Sequence, residues 1–387
     1  MLSPRAPLWL AGFRPFFLLA CASGALLPII WALMFTGVLS APPTGLSPTQ
    51  WHAHEMFYGF GWALLGGFLL TSTKNWVNIR GYHGATLMAL TAAWVAERVV
   101  VAFSGMLPSL LVIIGSNLYL VAIVALLLRT LLAHREKDSY RIDNLYFIVA
   151  LPLFVVAKNL LLGPDTFAAG TAMTLALFRI AFLLMLERTL TQFMKGVFQV
   201  TILRQPGLDN AIKLLALLLA CDPWLPATFD GAVELTLASL LLGRFLFWKP
   251  LVAMRRLDVF IMYLGYLGIV AQLLLDGTGR FVPMVWVGTL TIHVFTFGVM
   301  GLIIPAMIVR IANGHTGRKV VFDARDRLVL WIMLAALLVR IVAPQIVPNA
   351  YLGLIHAAAA CWLAAFGLLA WRYVPYLMAV RIDGKEH

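Results

Sequence analysis

Long apolar runs divided by short breaks of charge, proline, glycine or aspartate dominate this chain. About twelve runs come near the roughly 20 residues that a helix needs to cross hydrocarbon. They are predicted at 13–39, 53–76, 84–103, 107–132, 143–162, 168–190, 209–229, 232–250, 257–277, 283–313, 324–346 and 350–377. The longest polar connection, around His134 to Arg141, is too short to bury a core of its own. The first run starts after Arg14 and is too long for a cleavable leader, so it is expected to stay as the first span. The fold class expected is therefore all-α: a polytopic integral membrane helical bundle, one domain over residues 1–387.

Composition agrees, with 62% hydrophobic and 12% charged residues and a mean hydropathy of +0.91. Charge sets an orientation. With both termini cytoplasmic, all but five of the 29 Lys and Arg fall on the inner side, as the positive-inside rule asks. The formal charge of +12 then reports contact with an anionic inner leaflet of the lipid bilayer. Nucleic acid is excluded as a partner, because no long polar segment carries a binding surface.

The five exceptions are Arg98, Lys158, Arg179, Arg280 and Arg340, placed in the outer half or at the midplane. They either snorkel or meet carboxylates, such as haem propionates or Glu55 and Glu97. The histidines divide in the same way. His83, His134, His315 and His387 fall near the inner face, whereas His52, His54, His293 and His356 fall in the outer half.

Imidazole is the commonest ligand for haem iron and copper, and a porphyrin usually takes axial ligands from different helices. His52 and His54 are about 200° apart on a helix, so they share one metal only if the helix begins between them. His54 and Glu55 are expected to face inward. No zinc motif of the His-Glu-x-x-His kind is present. Cys21, Cys221 and Cys361 are dispersed through apolar runs and read as small packing residues, and the 15 methionines as core filler.

Several short motifs then carry a resemblance. Gly12-Phe13-Arg14-Pro15-Phe16-Phe17, Trp51-His52-Ala53-His54-Glu55-Met56, Gly67-Phe68-Leu69-Leu70-Thr71 with Asn75-Trp76, Gly314-His315-Thr316-Gly317-Arg318 and Trp371-Arg372-Tyr373-Val374-Pro375 with Val380-Arg381-Ile382-Asp383-Gly384 resemble the NnrS family. That resemblance implies a protein of about twelve spans in the bacterial cytoplasmic membrane, carrying haem and copper and serving tolerance of nitric oxide and nitrosative stress. Carried over residue by residue, the candidates are His52, His54, Glu55, His293 and His315; His356 rests on topology alone. Where the family pattern reads His-Leu-Gly-Tyr, this chain has Tyr263-Leu264-Gly265-Tyr266. The family's Arg-Val-Ile-Pro-Phe-Phe stretch is replaced by Thr191-Gln192-Phe193-Met194-Lys195-Gly196.

The reading favoured is haem b, with copper as a second metal. His54 with His293 or His356 would place iron in the outer half, His52 and Glu55 would be further metal candidates, and Arg98, Arg179 and Arg340 would neutralise propionates. Nitric oxide or a similar diatomic is the expected ligand, bound or slowly converted, with any electron donor unidentified. The Gly-His-Thr-Gly-Arg loop is expected to end its helix and present His315, Arg318 and Lys319 to an anion or lipid phosphate. A secondary transporter without metal is the alternative from another class. A haem-copper oxidase is disfavoured, since its adjacent His-His pair is missing.

Overall fold

A computed structural model describes residues 3–385, so His387 lies outside the described residues. Every regular element among the described residues is helical. The long helices are α1 (Phe13–Phe35), α2 (48–76), α3 (Ala85–Ala102), α4 (Ser109–Ala133), α5 (Asp143–Leu162), α6 (Phe167–Phe198), α7 (Pro206–Leu218), α8 (Ala227–Phe247), α9 (Leu257–Gly279), α10 (Leu290–Gly314), α11 (Ala324–Ile346) and α12 (Pro348–Met378). Among the described residues nine helices are long and apolar enough to cross a membrane: α1, α3 to α6 and α9 to α12. The other three fall short for local reasons. Glycines and hydroxyl residues dilute α2, α7 has only 13 residues, and α8 carries Asp230, Glu234 and Arg244.

Several predicted ends move. Helix α2 starts at Pro48 because Ser47 and Gln50 form a reciprocal capping box with proline in the first turn. The run expected over 209–229 stops at Leu218 and continues as a 3-10 turn, Leu219–Trp224, that holds Pro223. The run expected from 283 becomes helical only at Leu290, since Pro283 and the positive φ of Gly288 (+71°) break the chain before it. His293 therefore sits in the first helical turn and not mid-span. Helix α6 continues to Phe198, two turns beyond expectation.

The chain divides into two compact units, each assembled from separate stretches. The first comprises the chain up to Gly170 with Ile308–Val321 and the stretch from Trp362 onward. Inside it, α1 packs on α2 through small residues: a Cβ on Gly67 would stand 2.6 Å from Phe16 Cβ, and one on Gly12 2.5 Å from Leu70 Cβ. Close backbone approach of this kind is how helices associate where lipid removes the hydrophobic drive. Thr71 Oγ1 accepts the Phe13 amide at 2.9 Å, and Arg14 donates to the carbonyls of Leu377 and Ala379, capping the end of α12. Leu110, Ile113 and Ile114 of α4 point outward, as a lipid-facing surface requires.

The second unit comprises Thr171–Met307 and Phe322–Cys361. Its α8 and α9 pack closely, with Gly277 of α9 against Glu234 and the Gly231 carbonyl. Gly268 of α9 lies so near α10 that a Cβ would stand 2.8 Å from the Gly298 carbonyl oxygen.

Candidate functional site

Starting the helix at Pro48 settles how the two neighbouring histidines part. Both lie inside α2, so their rings diverge as helical spacing demands. His52 is half-buried and stacks on Trp31, with ring centroids 4.4 Å apart and planes 16° apart. His54 is fully buried.

From Glu55 to Gly61 the helix is π-helical. The wider turn leaves backbone groups to be satisfied from outside, and neighbouring helices do so. Trp94 of α3 donates its indole N–H to the Gly59 carbonyl at 3.1 Å, and Tyr119 of α4 donates its hydroxyl to the Trp62 carbonyl at 3.1 Å. π-helix is rare and concentrates at functional sites. Among the described residues two more such stretches occur, Thr296–Met300 just after His293 and Leu338–Val342 around Arg340. All three adjoin residues singled out from sequence.

Around His54 a closed set of charges forms. Its Nδ1 lies 3.0 Å from Glu55 Oε1; a carboxylate only accepts, so Nδ1 carries the proton. Arg98 donates to Glu55 Oε2 at 3.2 Å and also to Glu97. Lys158, fully buried on α5, donates to the same Glu97 oxygen and to the Ser116 carbonyl. The other Glu97 oxygen accepts the Tyr119 amide at 3.3 Å. Tyr58 lies under both the His54 ring, at 5.7 Å, and the Lys158 ammonium, at 5.6 Å. His54 Nε2 is left buried with no hydrogen-bond partner, 4.0 Å from Glu97 Oε1.

The other predicted residues are placed as follows. In the second unit Arg340 approaches both ring nitrogens of His293, at 3.3 and 3.4 Å, while His293 Nδ1 lies 2.7 Å from the Thr289 carbonyl. These two candidates are brought together as neighbours. His356 is half-buried on α12 within the same unit. Arg179 donates to Gln272 at 2.8 Å, in the field of Glu234, Asp276, Asp222 and Asp230, and Arg280 pairs with Asp222 (2.7 Å) and Asp230 (2.9 Å). All five off-pattern cations thus have partners within the protein. Tyr263, standing where the family pattern has histidine, donates to the Trp248 carbonyl at 2.7 Å.

The Gly-His-Thr-Gly-Arg loop ends α10 through Gly317 at φ +81° and docks the C-terminal segment. Arg381 donates to the His315 carbonyl at 3.0 Å, and the Ile382 amide to Thr316 at 3.2 Å. Arg318 lies 3.9 Å over the Tyr376 ring, and Lys319 is exposed. Burial and the nearby cations Lys74 and Arg381 hold the His315 imidazole down at about 4.

Sequence reasoning missed a third charged cluster, in the second unit. Arg244 donates to Glu187 (3.0 Å), Asp209 (3.1 Å) and the Tyr266 hydroxyl (3.1 Å), with Lys213 and Arg204 completing it. Its signal was available: acids spaced inside apolar runs. Among the described residues no group of three or more His, Cys, Asp or Glu side chains converges as a metal cage.

No curated protein shows a significant match to the chain. Against known protein families, residues 7–381 match the one described as NnrS protein. A match over nearly the whole length shows that this membrane-helical chain belongs to the NnrS family.

Proposed function

We propose that this chain is a multi-pass protein of the bacterial cytoplasmic membrane, with about twelve spans and both termini inside, that serves tolerance of nitric oxide and nitrosative stress by holding haem b, with copper as a second metal. Family membership supports the nitric oxide response and does not favour the metal-free transporter. The observation that carries the cofactor reading is His54. A histidine with its Nδ1–H held by a carboxylate and its other nitrogen buried and unpartnered is arranged as metal ligands are. The residues present therefore fit one histidine ligand to such a group.

Bound haem or copper would supply a redox-active centre with affinity for nitric oxide. The chain's own residues do the rest. Glu55 fixes the His54 tautomer and ring plane; Arg98 fixes Glu55; Glu97, Lys158 and Tyr58 wall the imidazole off from water. Nitric oxide is small and weakly polar, so it reaches a lipid-embedded site without a polar channel. His52, His293 and His356 are the candidates for a second ligand or metal, with Arg340 steering His293. On this reading Arg98 steadies a ligand, Arg179 and Arg340 are further cations for propionates, and His315, Arg318 and Lys319 face lipid phosphate.

The test is optical and elemental analysis of the purified chain, repeated for His54→Ala, His52→Ala, His293→Ala and His356→Ala. A Soret band and bound iron in the parent, lost in His54→Ala, are expected. A colourless parent without iron or copper overturns the proposal.

A further inference from the structure

One end of the first unit gathers cations. Lys74 lies in the last turn of α2, Arg129 just before the last turn of α4 and Arg80 between α2 and α3; together with His134, Tyr82 and Thr130 they line a cavity of about 200 Å³ whose lining includes no carboxylate. Leu70 and Ile79 supply its apolar side. The charges acting on Lys74 are Arg381 and Arg80, both positive.

Several of the local hydrogen-bond acceptors are already engaged. Tyr82 donates to the Leu126 carbonyl at 3.1 Å, and Thr130 Oγ1 lies 3.0 Å from the same oxygen and 3.2 Å from the Tyr82 hydroxyl. The Thr130 carbonyl receives the His134 amide and ring, and the Lys74 carbonyl receives the Ile79 amide at 2.9 Å. Among the described residues neither the Lys74 ammonium nor the Arg129 guanidinium has a hydrogen-bond or ion-pair partner. Gly81 lies against the Lys74 stem, where a Cβ would stand 2.6 Å from Lys74 Cδ, so the side chain is laid along the cavity wall.

Like charges lining one depression, with Lys74 half-buried and Arg80 and Arg129 exposed at its mouth, repel unless an anion sits between them. We propose that this cavity binds a phosphate group, with Lys74 and Arg129 as its principal donors and Arg80 reinforcing them. Its room, about seven waters' worth at roughly 30 Å³ each, suits a phosphate with part of its hydration shell. An apolar side next to a cationic one, at the ends of helices, admits two sources of that group: an anionic phospholipid headgroup or a soluble phosphate.

The full chain in nanodiscs or detergent would be examined by native mass spectrometry with phosphatidylglycerol against phosphatidylcholine, and by thermal stability against inorganic phosphate. Lys74→Gln with Arg129→Gln is the disrupting pair, Arg129→Lys the conservative variant, and Lys195→Ala with Arg327→Ala the surface control. Selective retention of phosphatidylglycerol, weakened about 5-fold per cation removed, kept by Arg129→Lys and by the control, supports the site with lipid as its source. Stabilisation by inorganic phosphate, lost in the disrupting pair, without preference between the lipids, supports it with a soluble source. Binding of neither probe, or equal binding by parent and disrupting pair where both elute as folded monodisperse protein, overturns it. Should the disrupting pair aggregate, Gly81→Ala, which displaces the Lys74 stem, replaces it with the same outcomes.

Discussion

Glu97 is the residue on which the charges around His54 depend, and replacing it by glutamine tests whether the cluster is a single unit. The carboxylate is fully buried and takes Lys158, Arg98 and the Tyr119 amide. Glutamine preserves its shape, removes the charge and turns one acceptor oxygen into an NH2 donor. Arg98 would keep Glu55 as its anion, but Lys158, equally buried, would be left with neutral acceptors alone, the Ser116 carbonyl and the new amide oxygen. Breaking a buried pair from one side costs about 3–5 kcal/mol, because the remaining charge is uncompensated, whereas removing both charges is often close to neutral. Glu97→Gln should therefore cost about 3–5 kcal/mol, and Glu97→Gln with Lys158→Met should recover most of it. The cycle should show a coupling of about 3 kcal/mol. Unfolding in mixed detergent and sodium dodecyl sulfate micelles, followed by far-ultraviolet circular dichroism and tryptophan fluorescence, measures all four proteins. Single and double losses that simply add, or a loss below about 1 kcal/mol for Glu97→Gln, would refute the account.

A Cβ on Gly59 would stand 2.6 Å from Arg98 Nη1 and 3.1 Å from Glu55 Oε2, so Gly59→Ala should prise that pair apart and cost about 1–3 kcal/mol in the same unfolding assay; an unchanged midpoint would show that the pair has slack. Arg244→Met removes the donor shared by Glu187, Asp209 and Tyr266 and should cost about 3 kcal/mol, additive with Glu97→Gln. The His315 imidazole, held at about 4, stays neutral in the folded chain while the unfolded chain takes up a proton below its ordinary value of 6.5. Its contribution is complete above pH 6.5 and is lost as pH falls towards 4, with a slope of up to about 1.4 kcal/mol per pH unit. His315→Asn should flatten thermal-stability profiles over that interval, and a profile equally steep in the variant would assign the slope elsewhere.

The helices were legible because lipid demands uninterrupted apolar stretches with internally bonded backbone, a constraint strong enough to be read from hydropathy alone. Ends were less so, since they depend on single capping and breaking residues: the Ser47–Gln50 box lengthened α2, while Pro223 and Gly288 shortened α7 and α10. At the site, the inward face of His54 and Glu55 was readable from their cost in an apolar run, and the pairing of Arg98 and Lys158 with Glu55 and Glu97 was one of two outcomes the charges allowed. Which outcome holds depends on distances between helices that no local pattern encodes. The π-helical stretches were also invisible, because an extra residue in a turn leaves no signature in apolar spacing. The cluster of Glu187, Asp209 and Arg244 did leave a local signal, acids inside apolar runs, but its pairing joins residues far apart in sequence.

The charge balance around His54 bears on which group the proposed site would take. Glu55 and Glu97 are matched by Arg98 and Lys158, so with a neutral imidazole the cluster carries no net charge. An added divalent ion would bring two uncompensated charges into a low-dielectric interior, a cost of several kcal/mol that no nearby free carboxylate offsets. The iron and porphyrin core of ferrous haem is neutral, and a cuprous ion brings a single charge. On the proposed reading the cluster therefore discriminates by charge, favouring reduced haem over cupric copper at His54. It does so while leaving the Nε2 lone pair, the only buried polar atom of the ring without a partner, open to coordination.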